Sequence, residues 1–203
     1  MSQVEKNINA LEIISNKIKS FDSMHDDIKE ISLLINELEI IVRKEQSKHY
    51  EIFFSDLSLA NKIISLCKTG IFNTSTIINS VSVIGNMIKR YGLPPENDFF
   101  YFFYDLKHIK KVNYYVSLFI MQLPQFNTQK DKWDYLISVP EISPKNKSER
   151  NFYIELKKII NSNEVIPDYY RNRFVIIIEK LIDNAKNDFY KTEYKELMLE
   201  ITK

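Results

Sequence analysis

The chain has 203 residues, 28 basic and 27 acidic side chains, and a net charge of +1; its 3 glycines compare with roughly 14 at ordinary usage. So little glycine disfavours β-sandwiches and barrels, which spend it on turns and bulges, and excludes a Rossmann fingerprint, a P-loop and collagen repeats. An apolar fraction of 44% with 27% charge is globular, and the length suits a single domain spanning 1–203, or at most two small ones.

Helical spacing dominates from the start. Val4, Ile8, Leu11, Ile14, Ile18 and Phe21 form one apolar stripe, and Ile28, Ile31, Ile35, Leu38 and Val42 form a second. Ser23 with Asp26 three residues on resembles a capping box for the second helix, so the two helices should form an antiparallel hairpin. A third stripe holds Phe53, Leu57, Ala60, Ile64 and Cys67, then stops at Lys68-Thr69-Gly70. Thr74 can cap the fourth helix, whose stripe runs from Ile77 to Tyr91; Gly92 and Leu93-Pro94-Pro95 end it. Gly85, inside that helix on the Ile84 side, points to a close packing contact.

Residues 98–123 are helical by spacing, as one long helix or as two broken near His108 to Lys111. Pro124 ends this segment. A short helix around Asp131 to Val139 carries Trp133 and Leu136, and Pro140 and Pro144 bracket a loop. Ser143 and Pro144 suit the N-cap and first turn of a helix with Phe152, Leu156 and Ile159. Pro167 opens the next, with Tyr170, Phe174, Ile177, Leu181 and Ala185, and the last holds Tyr190, Tyr194, Leu197 and Ile201.

The expected fold is all-α, with about nine or ten helices and no strand. Helix starts near 2, 23, 50, 73 and 97 give a helix pair of about 47 residues, close to a HEAT or armadillo unit. The pairs share no residue-level similarity. An irregular HEAT-like stack of antiparallel helical hairpins is therefore the first expectation and a closed multi-helix bundle the second.

Charge is unevenly spread. Residues 1–56 hold 11 acidic and 7 basic side chains, a net of −4; residues 57–132 hold 4 and 9, a net of +5; residues 133–203 hold 12 of each. A dedicated nucleic-acid binder carries a marked basic excess, so the overall balance disfavours that class. The single cysteine, Cys67, cannot form an internal disulfide or a cysteine zinc site, and its apolar stripe predicts a buried core thiol. No signal-peptide core opens the chain and no run reaches the ~18 apolar residues of a membrane span, so a cytoplasmic location is expected. Lys, Asn, Ile, Tyr and Phe make up 96 residues; their AT-rich codons fit an AT-rich bacterium or a horizontally acquired gene.

Few residues suggest reaction chemistry. His25, His49 and His108 are far apart and have no Cys or i+4 His partner, so neither a metal site nor a cofactor is expected. Asp26 and Asp27 are adjacent and diverge by about 100° on a helix, so they cannot act as a paired acid and base without a third group. Two features favour binding instead. Asp22, Asp26, Asp27, Glu30, Glu37 and Glu39 cluster in and before the second helix, with Asp26, Glu30 and Glu37 opposite the apolar stripe, a face suited to a basic partner. The aromatic run Phe99-Phe100-Tyr101-Phe102-Phe103-Tyr104 covers every face of a helix, and Tyr114-Tyr115 repeats the theme. Tyrosine buries area at low entropy cost in recognition surfaces; stacking of bases, helped by Lys107, Lys110 and Lys111, is a lesser alternative.

In size, helical-hairpin build, AT-rich gene and acidic patch, the chain resembles the helical immunity proteins of contact-dependent inhibition and related polymorphic toxin systems. That resemblance implies a non-enzymatic protein that forms a tight complex with a cognate cytoplasm-acting toxin domain, often a basic nuclease. Asp22, Asp26, Asp27, Glu30 and Glu37 would be its charged contacts, and Tyr114 and Tyr115 its anchors. A phage-encoded inhibitor of a bacterial defence complex is an alternative of the same class. A different class is raised by Arg43-Lys44-Glu45-Gln46-Ser47-Lys48-His49, which is similar to the arginine-to-histidine motif of the all-helical HEPN ribonucleases. There the arginine would stabilise phosphate charge and the histidine handle a proton, although Lys44 departs from the Asn, Asp or His usual after that arginine.

Overall fold

The computed structural model describes residues 2–44 and 46–202. Among them the chain is all-helical, with eleven α-helices, four 3-10 turns and no strand, slightly more helices than expected. Two compact units divide the chain at Leu123 and Pro124.

The first unit is built on α1 (Gln3–Ser20), α2 (Ile28–Lys44), α4 (Leu57–Lys68) and α5 (Thr74–Tyr91), with the single turn α3 (Glu51–Phe54) between α2 and α4. Helix α1 starts with a capping box: Ser2 Oγ accepts from Glu5 N at 3.2 Å, and Ser2 N donates to Glu5 Oε2 at 2.7 Å. It packs on α2, α2 on α5, α5 on α4, and α4 back on α1, so these helices close a ring. Within this unit the arrangement is thus a bundle and not an open stack. Leu11 and Ile18 of α1 and Ile35, Leu38 and Val42 of α2 are fully buried, and such burial stabilises by about 1.5–3 kcal/mol per side chain.

Several predicted boundaries move for local reasons. The third stripe is not one helix. Asp56 interrupts it and caps α4, its Oδ1 accepting from Ser58 N at 2.8 Å and Leu59 N at 3.3 Å. Asn73, not Thr74, caps α5 through Thr76 N. Gly92 adopts the left-handed φ of 67° that ends α5, its N–H donating to Met87 O. Residues 98–123 form two helices, α6 (Asn97–Leu106) and α7 (Asn113–Ser117), broken at 107–112 where Lys111 takes a φ of 74°. Gly85 is the close contact its position suggested. A Cβ there would lie 2.5 Å from Phe119 Cδ1 and nearer still to Cγ and Cδ2. The aromatic run sorts by type. Phe99, Phe100, Phe102 and Phe103 are buried, Tyr104 is half-buried, and Tyr101 keeps 54% exposure.

The second unit holds α8 (Lys132–Ser138), α9 (Lys145–Asn161), α10 (Asp168–Asp183) and α11 (Asp188–Ile201). Helix α10 packs on α8 and α11, and α11 on α9. Helix α9 begins at Lys145 with Pro144 in the cap position, one residue later than expected. The core collects Phe126, Leu136, Phe152, Leu156, Phe174, Ile178 and Leu197. Lys132 is buried beside it. Its ammonium donates to both Glu164 carboxylate oxygens at 2.5 and 2.7 Å and to Asn127 Oδ1 at 3.3 Å. A lysine leaves water only when such acceptors replace its hydration.

Candidate partner-binding site

Asp22, Asp26, Asp27 and Glu30 lie at the turn between α1 and α2 and the first turn of α2. No capping box forms at Ser23 and Asp26, because α2 begins only at Ile28. Instead the carboxylates build the turn itself. Asp22 Oδ1 accepts from Met24 N at 3.0 Å, and Asp22 Oδ2 lies 2.9 Å from His25 Nδ1. Asp26 Oδ2 accepts from Asp22 N at 2.7 Å, closing the loop on itself. Asp27 Oδ1 accepts from Lys29 N at 2.8 Å and so takes the N-cap role for α2. The Met24 N–H, then His25, hold the Asp22 carboxyl below its ordinary value.

This short-range bonding fixes side chains that would otherwise be mobile, and it thrusts Met24 outward with 86% exposure. Beside the turn lies a cleft of about 190 Å³. Phe21, Ile31 and Leu34 give it an apolar floor; Asp26, Asp27 and Glu30 form an acidic rim, where Lys17 is also present. Three carboxylates against one ammonium leave a formal charge of −2. Lys17 Nζ sits 2.5 Å from Glu30 Oε1, an exposed pair of small net strength. Chemically the cleft suits one long cationic side chain, with methylenes on the floor and the charged head at the rim.

The other predicted contacts lie apart from this cleft. Glu37 is exposed on α2, two turns beyond Glu30, and does not line it. Glu39 is buried; its Oε1 accepts from Arg43 Nε and Ser82 Oγ, each at 2.9 Å. Tyr114 and Tyr115 sit half-buried on α7, edge to face at 5.1 Å, and α7 packs on α5 and α6 rather than beside the α1–α2 turn. Burial raises the Tyr114 phenol, with Tyr115 adding to the shift. Lys107 is buried with its ammonium 3.1 Å from the centre of the Tyr104 ring, while Lys110 and Lys111 are exposed.

Arg43 and His49 do not form a joined pair. Arg43 reaches back along its own helix to Glu39, and His49 stands exposed on the 3-10 turn Lys48–Tyr50. Among the described residues no hydrogen bond or ion pair links their side chains. Cys67 is half-buried rather than fully buried, and desolvation pushes its thiol up to about 11, with Ser80 opposing the shift. Among the described residues no group of three or more His, Cys, Asp or Glu could hold a metal ion, and no helix is long and apolar enough to cross a membrane.

Met24, Phe21 and Leu34 were the parts of this site that sequence reasoning missed. A methionine flanked by Ser23 and His25 in a polar turn was a legible signal of an exposed apolar knob. The floor was not legible, because Phe21 and Ile31 read as ordinary stripe residues. Comparison with protein-family models, curated proteins and solved structures returns no match.

Proposed function

We propose that the chain is a binding protein that neutralises a cognate, cytoplasm-acting toxin domain with a basic surface, in the manner of a helical immunity protein. One observation carries the reading: the α1–α2 turn joins an acidic rim, an apolar floor and an exposed methionine in one place. A buried apolar contact ringed by charge is the usual composition of a tight interface, and the surrounding field speeds capture. A lysine or arginine of the toxin enters the cleft and displaces Lys17 from Glu30, while Met24 packs against an apolar patch beside it. A nuclease fits this role, since the basic surface that holds its phosphate backbone is the surface the acidic turn would cover.

The test uses the protein encoded by the reading frame immediately upstream. Co-expression of the full chain should rescue cells from that protein. Asp26→Lys with Glu30→Lys should abolish rescue and weaken binding at least tenfold, with the wild-type affinity falling as salt rises. A harmless upstream product, or rescue and affinity indifferent to both charge reversals, would refute the reading.

A further inference from the structure

A second concavity lies wholly within the Pro124–Lys203 unit, between the start of α9, the end of α10 and the start of α11. It encloses about 250 Å³. Its wall carries Lys147, Arg150 and Lys186 against one carboxylate, Glu149, together with the side chains of Tyr190 and Tyr194. Three cations and one anion line it, and Glu193, paired with Arg150, adds a second anion, which leaves a formal charge of +1.

Arg150 is held in place rather than free. Its Nη1 and Nη2 donate to the two Glu193 carboxylate oxygens at 2.5 and 3.2 Å. Its guanidinium carbon lies 4.5 Å from the Tyr153 ring centre and 5.5 Å from that of Tyr190. The side chain still keeps 34% exposure, and a guanidinium has N–H donors beyond the two that Glu193 takes. Lys147 and Lys186 form no ion pair among the described residues. The first turn of α9 has no acidic residue and no capping side chain, although the positive end of a helix normally recruits one. Two ammonium groups without ion-pair partners, a guanidinium pre-positioned by Glu193 and a helix start without a capping side chain therefore line one hollow in which cations outnumber carboxylates. The rings of Tyr190 and Tyr194 stand nearly parallel, 21° apart with centres 6.5 Å apart, and add a flat aromatic wall.

We propose that this cleft binds a small phosphorylated molecule bearing a flat unsaturated ring, the chemistry of a nucleoside monophosphate. The phosphate sits among Lys147, Lys186 and Arg150, and the ring lies against Tyr190. The volume is below the ~300–1,000 Å³ of pockets for larger ligands, which admits one phosphate and one ring but not a dinucleotide.

Titration calorimetry of the full chain at low salt tests this with four probes: AMP, UMP, adenosine and inorganic phosphate. Saturable binding of at least one monophosphate is expected, with adenosine and inorganic phosphate each at least tenfold weaker. Lys147→Gln and Lys186→Gln should each weaken the monophosphate about tenfold, the loss of one charge-assisted contact. Tyr190→Leu should weaken the monophosphate but leave inorganic phosphate unchanged. The residues and the probe differ from those of the toxin-binding reading, so the two proposals fail independently. No saturable binding of either monophosphate at millimolar concentration overturns the proposal. So does affinity unchanged when Lys147→Gln and Lys186→Gln are combined, in protein whose circular dichroism matches wild type, or inorganic phosphate binding as tightly as AMP.

Discussion

Replacing Gly85 by alanine should destabilise the first unit, even though alanine is the better helix former. Gly85 is buried in the middle of α5, where a methyl would lie 2.5 Å from Phe119 Cδ1 and nearer to two other ring carbons. Carbon atoms rest at about 3.5–4.0 Å, so the ring must retreat by about 1 Å or more. It cannot retreat freely. Phe119 is 8% exposed and stacks on the fully buried Phe103, with ring centres 6.2 Å apart. Overpacking of this kind costs about 1–3 kcal/mol, and the three crowded ring atoms place it toward the upper end. Helix propensity returns about 1 kcal/mol, which leaves a net loss of about 1–2 kcal/mol. Removing the ring reverses the sign: in a Phe119→Ala background, Gly85→Ala should stabilise by up to about 1 kcal/mol. The coupling between the two sites is then about 2–3 kcal/mol. Urea unfolding followed by far-ultraviolet circular dichroism on wild type, both single variants and the double variant measures it. A Gly85→Ala protein as stable as wild type, or the same change in both backgrounds, would refute the close-contact argument.

Two further changes follow from the same kind of accounting. Glu164→Gln should destabilise the second unit by about 3 kcal/mol, the low end for breaking a buried pair because Glu164 keeps 35% exposure, since it strips the charge from the main acceptor of the buried Lys132; Lys132→Met, which removes the buried charge as well, should cost less in the same unfolding assay. Asp56→Ala should cost about 1–2 kcal/mol by uncapping α4 and freeing Lys19. Desolvation raises the Asp56 carboxyl, but the bonds from Ser58, Lys19 and the Ser58 and Leu59 N–H groups outweigh it and hold the group below 3.8. Its contribution is therefore complete above that ordinary value and lost as pH falls through the lowered one. The wild-type advantage over Asp56→Ala should shrink on acidification, and an advantage independent of pH would contradict the carboxylate's role.

The sequence by itself determined the class of fold. Steps of three and four between Ile, Leu and Val residues place one apolar face on each long helix, and the scarcity of glycine removes the β alternatives. It also located Gly85 as a packing point and placed a possible break in 98–123 near Lys111. Tertiary structure decided what periodicity cannot encode. The spacing of the helix starts put a stack ahead of a bundle, but the stripes of α1, α2, α4 and α5 could not decide between them, because a hydrophobic face states that it must be covered and not by which neighbour. Asp56 looked like one polar residue inside a stripe until its side chain bonded Ser58 and Leu59 and began a new helix there. The acidic cluster was visible as composition, yet only the fold separated its members. Glu39 turned inward to Ser82, Glu37 stood apart, and Asp26, Asp27 and Glu30 came to rim a cleft floored by Phe21 and Leu34. The reason is one of range: helix formation depends on residues four apart, whereas a cleft depends on distances that only the packed chain creates.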